Sequence, residues 1–258
     1  VPGWFVGDRD FELPEVKLLM DAVQSSRFIT QKKSDALIRK LEGLASVHEA
    51  GQLQRQVYVS GRIKVMNESI YYNVDKLHTA IAGQRAITFK YFDYDIARQK
   101  AFRQEGKRYV VSPYGLIWNS ENYYLAGWDE LRKEVRHYRV DKMSDIALTG
   151  MKGHPRGSWT AEGYARKHFG MFSGTPCRLR LRCEDRLAGV MIDRFGLEAA
   201  LIPDGPGHFA AVVDLVVSPP LWGWLFGLGA GVEVLEPDWA AEQFAQRLEE
   251  VAALYRKE

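Results

Sequence analysis

The chain has 258 residues, 46% of them hydrophobic and 26% charged, and its 35 Lys and Arg against 33 Asp and Glu leave a formal net charge of +2. This describes a globular protein with room for two or three modules, and it excludes a chain-wide polyelectrolyte affinity for nucleic acid, so any basic site must be local. The longest apolar run, Pro219 to Val232, is broken by Gly223, Gly227, Gly229 and Gly231 and is shorter than the ~20 residues a bilayer span needs, so no membrane contact is expected.

The sequence opens on Val1 rather than Met, with neither the charged nor the apolar region of a signal peptide, and reads as a trimmed, cytoplasmic piece of a longer protein. Residues 12–46 predict two helices. Pro14 suits a first turn, and Val16, Leu19, Met20 and Val23 recur at helical spacing. Thr30 can cap the second helix, whose stripe is Leu37, Ile38, Leu41 and Leu44, with Gly43 near its end. Gln54 to Arg62 looks extended, and Ile70, Val74, Leu77 and Ile81 form a third amphipathic stripe that ends at Gly83. Residues 1–84 carry no catalytic constellation and read as a helical connector.

From Arg85 the period changes to two. Ile87, Phe89 and Tyr91 share one face of a strand, and β-type runs follow at 100–104, 107–117, 122–128 and 134–140. Five short strands within residues 85–145 predict a small barrel, since closure removes exposed edges. The glycines and prolines of residues 146–176 read as a linker, with a short helix at Ala161 to Phe169. Residues 177–258 then read as strand, helix, two strands, helix, strand and a last helix, a ferredoxin-like order. Cys177 and Cys183 lie six apart in one strand, about 20 Å at ~3.3 Å per residue, too far to pair.

Ser112 and Tyr114 sit two apart on one strand, and His137 and Arg139 repeat that spacing on another. If those strands are neighbours, a hydroxyl, a phenol, an imidazole and a guanidinium converge, with Lys142 close behind, and together they suit a phosphate and a base. The same residues allow a plainer reading, in which Arg139 and Asp141 form a structural ion pair and Ser112-Pro113-Tyr114 is a strand edge packed under the rim. Trp118, Tyr123, Tyr124, Leu125 and Trp128 read as core and rim packing. Arg178, Arg180 and Arg182 alternate on one face of a strand, either as a second nucleic-acid contact that Arg194 and His208 could extend or as a solvated face balanced by acids. Gly227-Leu228-Gly229-Ala230-Gly231 follows a helix and precedes a strand, the reverse of a phosphate loop, and reads as a helix stop. The six histidines lack metal-ligand spacing and no nucleophile elbow or carboxylate pair is present, so no metal, cofactor or catalytic residue is expected and the chain does not read as an enzyme.

Three segments in order, Tyr109-Val110-Val111-Ser112-Pro113-Tyr114-Gly115-Leu116-Ile117-Trp118, Asn122-Tyr123-Tyr124-Leu125-Ala126-Gly127 and His137-Tyr138-Arg139-Val140-Asp141-Lys142, resemble a WYL domain of bacterial transcription regulators. Tyr123-Tyr124-Leu125 stands for the name-giving Trp-Tyr-Leu, and the C-terminal unit resembles the extension that accompanies such domains. The resemblance implies an α+β chain: a helical connector, a five-stranded SH3/Sm-like β-barrel and a ferredoxin-like unit serving dimerisation. It also implies an effector patch of Ser112, Tyr114, His137, Arg139 and Lys142, the last standing where Arg is usual. The expected partners are a second copy, a single-stranded nucleic acid or nucleotide effector, and operator DNA through a winged-helix domain absent from this chain, which the stretch from Trp4 would follow. The other readings are a dimerisation module with no small ligand, an accessory nucleic-acid-binding protein and, third, a nucleic-acid-processing enzyme.

Overall fold

The computed structural model describes residues 11–26, 28–44 and 69–256. The expectations for Trp4 to Gly7 and for Gln54 to Arg62 lie outside the described residues. Contacts divide the chain into one unit of residues 1–134 and 138–154 and another of residues 135–137 and 155–258.

In the first unit, α1 (Leu13–Ser25) begins with a capping box in which the Glu12 amide donates to the Glu15 carboxylate at 2.7 Å. Helix α2 (Gln31–Glu42) is capped by Thr30, whose Oγ1 accepts from the Lys33 amide at 3.3 Å. The two helices meet through Val16, Met20 and Ile38. Helix α3 (Ser69–Ala82) buries Leu77 and Ala80 against the sheet, and its buried Asn73 donates to the Met143 carbonyl at 3.2 Å. Helix α3 stops at Gly83, as expected, and the left-handed residue that follows is Gln84, at φ 47°.

The sheet of this unit has six strands: β1 (Arg85–Tyr94), β2 (Lys100–Phe102), β3 (Tyr109–Asn119), β4 (Asn122–Asp129), β5 (Glu134–Arg139) and β6 (Met143–Lys152). It is an antiparallel, curled half-barrel of order β2-β1-β3-β4-β5, with β6 on β1. Its core joins Ile87, Phe89, Val111, Leu125 and Val140, with Phe89 and Tyr138 edge to face at 5.1 Å. The sequence reading counted five strands because it placed residues 146–152 in a linker. Beyond Met143 and Ile146, β6 exposes most of its side chains and so lacks the alternation that marks a half-buried strand.

The second unit contains α4 (Ala161–Lys167), β7 (Thr175–Glu184), α5 (Ala188–Phe195), β8 (Ala200–Pro203), β9 (His208–Val217), α6 (Pro219–Gly227), β10 (Val232–Glu236) and α7 (Asp238–Ala253). Its sheet runs β10-β7-β9-β8, every pair antiparallel. Leu179, Leu181 and Cys183 point from β7 into a core shared with Met191, Phe209, Leu221 and Trp222. Gly174 enters β7 so close to β9 that a Cβ there would lie 1.8 Å from the Val217 carbonyl oxygen. Cys177 and Cys183 are both free. Among the described residues no helix is long and apolar enough to cross a membrane, and no group of three His, Cys, Asp or Glu could hold a metal ion.

Candidate functional site

The convergence foreseen for Ser112, Tyr114, His137 and Arg139 requires neighbouring strands, and the strand order corrects this. β3 and β5 flank β4, because β3–β4 and β4–β5 are successive hairpins. The strand that carries Ser112 and Tyr114 is therefore not the hydrogen-bonded neighbour of the strand that ends at Arg139.

Arg139 and Lys142 instead join a cluster around Tyr91. Arg139 Nε and Nη2 donate to the two Asp141 carboxylate oxygens at 3.0 and 2.7 Å, and Nη2 also donates to Asn122 Oδ1 at 2.9 Å. The Arg139 amide donates to Tyr91 Oη at 3.1 Å. Over the Tyr91 ring, 5.3 Å from its centre, lies the guanidinium of Arg103, which pairs with Asp93 at 2.6 Å. Lys142 reaches the other Asp93 oxygen at 2.5 Å. Three cations, Arg103 over the ring and Arg139 and Lys142 beside it, are thus held by two carboxylates, Asp93 and Asp141, which leaves this group one net positive charge. The bond from Lys142, against a smaller opposing effect of burial, and the bond from Arg103 keep the Asp93 carboxyl below its usual range, while burial pushes the Tyr91 phenol up to about 12. Both stay in one protonation state through neutral pH.

Sequence reasoning missed Arg103. It follows the three-residue β2, on a turn where Gln104 and Glu105 take left-handed backbone at φ 51° and 55°, and no periodicity extends there.

Ser112 and Tyr114 have other partners. Both are buried; Ser112 Oγ accepts from the His154 amide at 2.9 Å and donates to Glu130 at 3.3 Å, and Tyr114 Oη bonds His154 Nδ1 at 2.9 Å. The His154 ring stacks on Trp128 at 4.1 Å, so these residues fasten the chain leaving β6. A bulge between Pro113 and Gly115 interrupts the register at Tyr114.

His137 groups with the second unit, where Nδ1 bonds Tyr164 Oη at 2.9 Å and the ring lies 5.4 Å from that of His168. Burial, and after it the neighbouring His168, lower its pKa to about 4. In the first unit Tyr123 is packed, as expected, against Trp118 and Phe28, at 4.6 and 4.7 Å.

The arginine row of β7 is matched by acids. Arg178 stands opposite Asp214, Arg180 bonds Glu236 at 3.2 Å, and Arg182 lies 3.5 Å from Asp204 with Glu233 across the strand. Arg194 covers the Phe169 ring at 3.7 Å, and His208 Nδ1 lies 3.0 Å from the Pro206 carbonyl oxygen.

The family model of the WYL domain matches residues 72–148, and that of the WCX domain matches residues 175–252. Among solved structures, the chain is similar to the proteasome accessory factor B/C (PafBC) of Arthrobacter aurescens, at 18% identity and a TM-score of 0.36, over 96% of this chain and 37% of that one. The chain thus spans well under half the length of that protein. It is also similar to a CRISPR Cas-related protein, at 13% identity and a TM-score of 0.45, over 96% of this chain and 75% of that one. The chain therefore carries a WYL domain followed by a WCX domain.

Proposed function

We propose that this chain is the sensing and dimerising part of a cytoplasmic, non-catalytic transcription regulator, which takes a single-stranded nucleic acid or nucleotide effector through its WYL domain and controls a separate winged-helix domain bound to operator DNA. The observation that carries this reading is the cluster of Arg139, Arg103 and Lys142 around Tyr91. Asp141 and Asn122 hold the Arg139 side chain half-exposed, and a phosphate offers the guanidinium the same bidentate geometry as the carboxylate it would displace. Ser112, Tyr114 and His137 then serve the effector by fixing the surrounding chain. The arginine row of β7, matched by acids, is a weaker second contact.

The finer fold names belong to the same proposal. The order β6-β1-β3-β4-β5, with a short 3-10 turn between β5 and β6, supports an SH3/Sm-like barrel, and the order β10-β7-β9-β8 with its two crossover helices supports a ferredoxin-like unit. The exposed Trp239, Leu248 and Val251 of α7 support dimerisation through the C-terminal unit.

The internal pairing of Arg139 with Asp141 also favours a second reading, an interaction module with no small ligand. Titration of labelled single-stranded DNA at fixed salt separates the two. Arg139→Ala is expected to weaken binding about ten- to a hundredfold, and more than Lys142→Ala does, as loss of a charge-assisted bidentate contact requires. Equal affinity of wild type and Arg139→Ala, with folding unchanged, leaves the module reading standing.

A further inference from the structure

Between α2 and α3 the first unit holds a cavity of about 600 Å³ that none of the effector residues above line. Its size falls within the roughly 300–1,000 Å³ of small-molecule sites. The fully buried Ile70 and the half-buried Val74 give it an apolar floor. Four aromatic rings line it: Phe28, Tyr71, Tyr72 and Tyr123. Tyr71 and Tyr72 stay 59% and 66% exposed, edge to face at 5.6 Å, an arrangement that leaves ring surface for a further ring.

The charged lining is chiefly basic. Lys32 and Lys33 stand against one acid, Asp75, and Lys33 Nζ lies 4.9 Å over the Tyr71 ring. An ammonium on the face of an exposed tyrosine marks the place where a ring and an anionic group can be met together. A neutral apolar molecule would leave the lysines unused, and a bare anion would leave the four rings unused.

We propose that this cavity binds an aromatic acid, a planar hydrocarbon ring carrying one carboxylate or sulfonate, with the ring among Tyr71, Tyr72, Phe28 and Tyr123 and the anionic group at Lys33 and Lys32. The site is independent of the phosphate cluster at Arg139 and stands whether or not that cluster binds an effector.

Fluorescence titration of the whole chain with 1-anilinonaphthalene-8-sulfonate tests it, with 2-naphthoate and its neutral counterpart 2-naphthalenemethanol as competitors. The expected result is saturable one-to-one binding, displaced about tenfold more readily by the carboxylate than by the alcohol. Lys33→Ala and Tyr72→Ala, both at exposed positions, should each weaken binding at least fivefold, and Arg139→Ala should leave it unchanged. Absence of saturable binding, equal displacement by the alcohol, or full affinity in both cavity variants would overturn the proposal. Loss of binding in Arg139→Ala alone would overturn it too, by moving the anion to the other cluster.

Discussion

His137 and His168 stay neutral in the folded protein, chiefly because burial disfavours their charged forms, whereas in the unfolded chain they take up protons near pH 6.5. Between that pH and the value of about 4 held by His137, the unfolded state binds more protons than the folded one. Stability therefore rises with pH across this window and is fully present above it. The second unit is expected to lose roughly 2–3 kcal/mol between pH 7.5 and 4.5, read as a falling urea midpoint. His137→Asn keeps a group able to bond the Tyr164 hydroxyl but cannot titrate, so its midpoint should vary much less over the same range. At this scale the sequence showed Arg139 with Asp141 as a possible ion pair and Lys142 as a nearby cation. It could not show that Arg103 joins them, because that contact depends on how the β2 hairpin folds back toward Asp93. Nor could it show that Ser112 and Tyr114 meet His154, some 40 residues further along the chain.

The elements of the second unit were the most legible part of the chain. Leu179, Leu181 and Cys183 alternate with arginines on β7, so period two marks that strand, while β9 is a nearly continuous apolar run buried on both faces, legible from its β-branched and apolar composition instead. The loss of alternation that concealed β6 is the opposite case. The glycines, which sequence reading treats as equivalent punctuation, differ in the structure. At Gly174 a methyl group would meet the Val217 backbone, so Gly174→Ala should cost roughly 2–3 kcal/mol by forcing β7 and β9 apart. Gly223 is exposed in the middle of α6 with nothing within 4 Å of its would-be Cβ, and Gly223→Ala should stabilise by roughly 0.5–1 kcal/mol. Thermal melts of the two variants should shift in opposite directions from wild type.

For the whole molecule, the C-terminal helix supplies the proposed dimer surface. Ala240 and Phe244 turn to the core of their own unit, while Leu248, Val251, Leu254 and Tyr255 remain exposed toward its end. Sedimentation at tens of micromolar is expected to show a dimer, and Val251→Asp, which places a charge in that patch, should return it to a monomer without changing its far-ultraviolet dichroism. One further property follows from the way both basic groups are built. Arg139, Arg103 and Lys142 carry Asp141 and Asp93 with them, and the arginines of β7 face Asp214, Glu236 and Asp204. All but one of these positive charges are balanced a few ångströms away, so only a weak field reaches beyond the surface to draw a polyanion in from a distance. Encounters then proceed at the ordinary diffusive pace of nearly neutral partners, hardly altered by ionic strength, and a polyanion is told apart from other molecules only after contact, when its phosphates exchange places with the carboxylates.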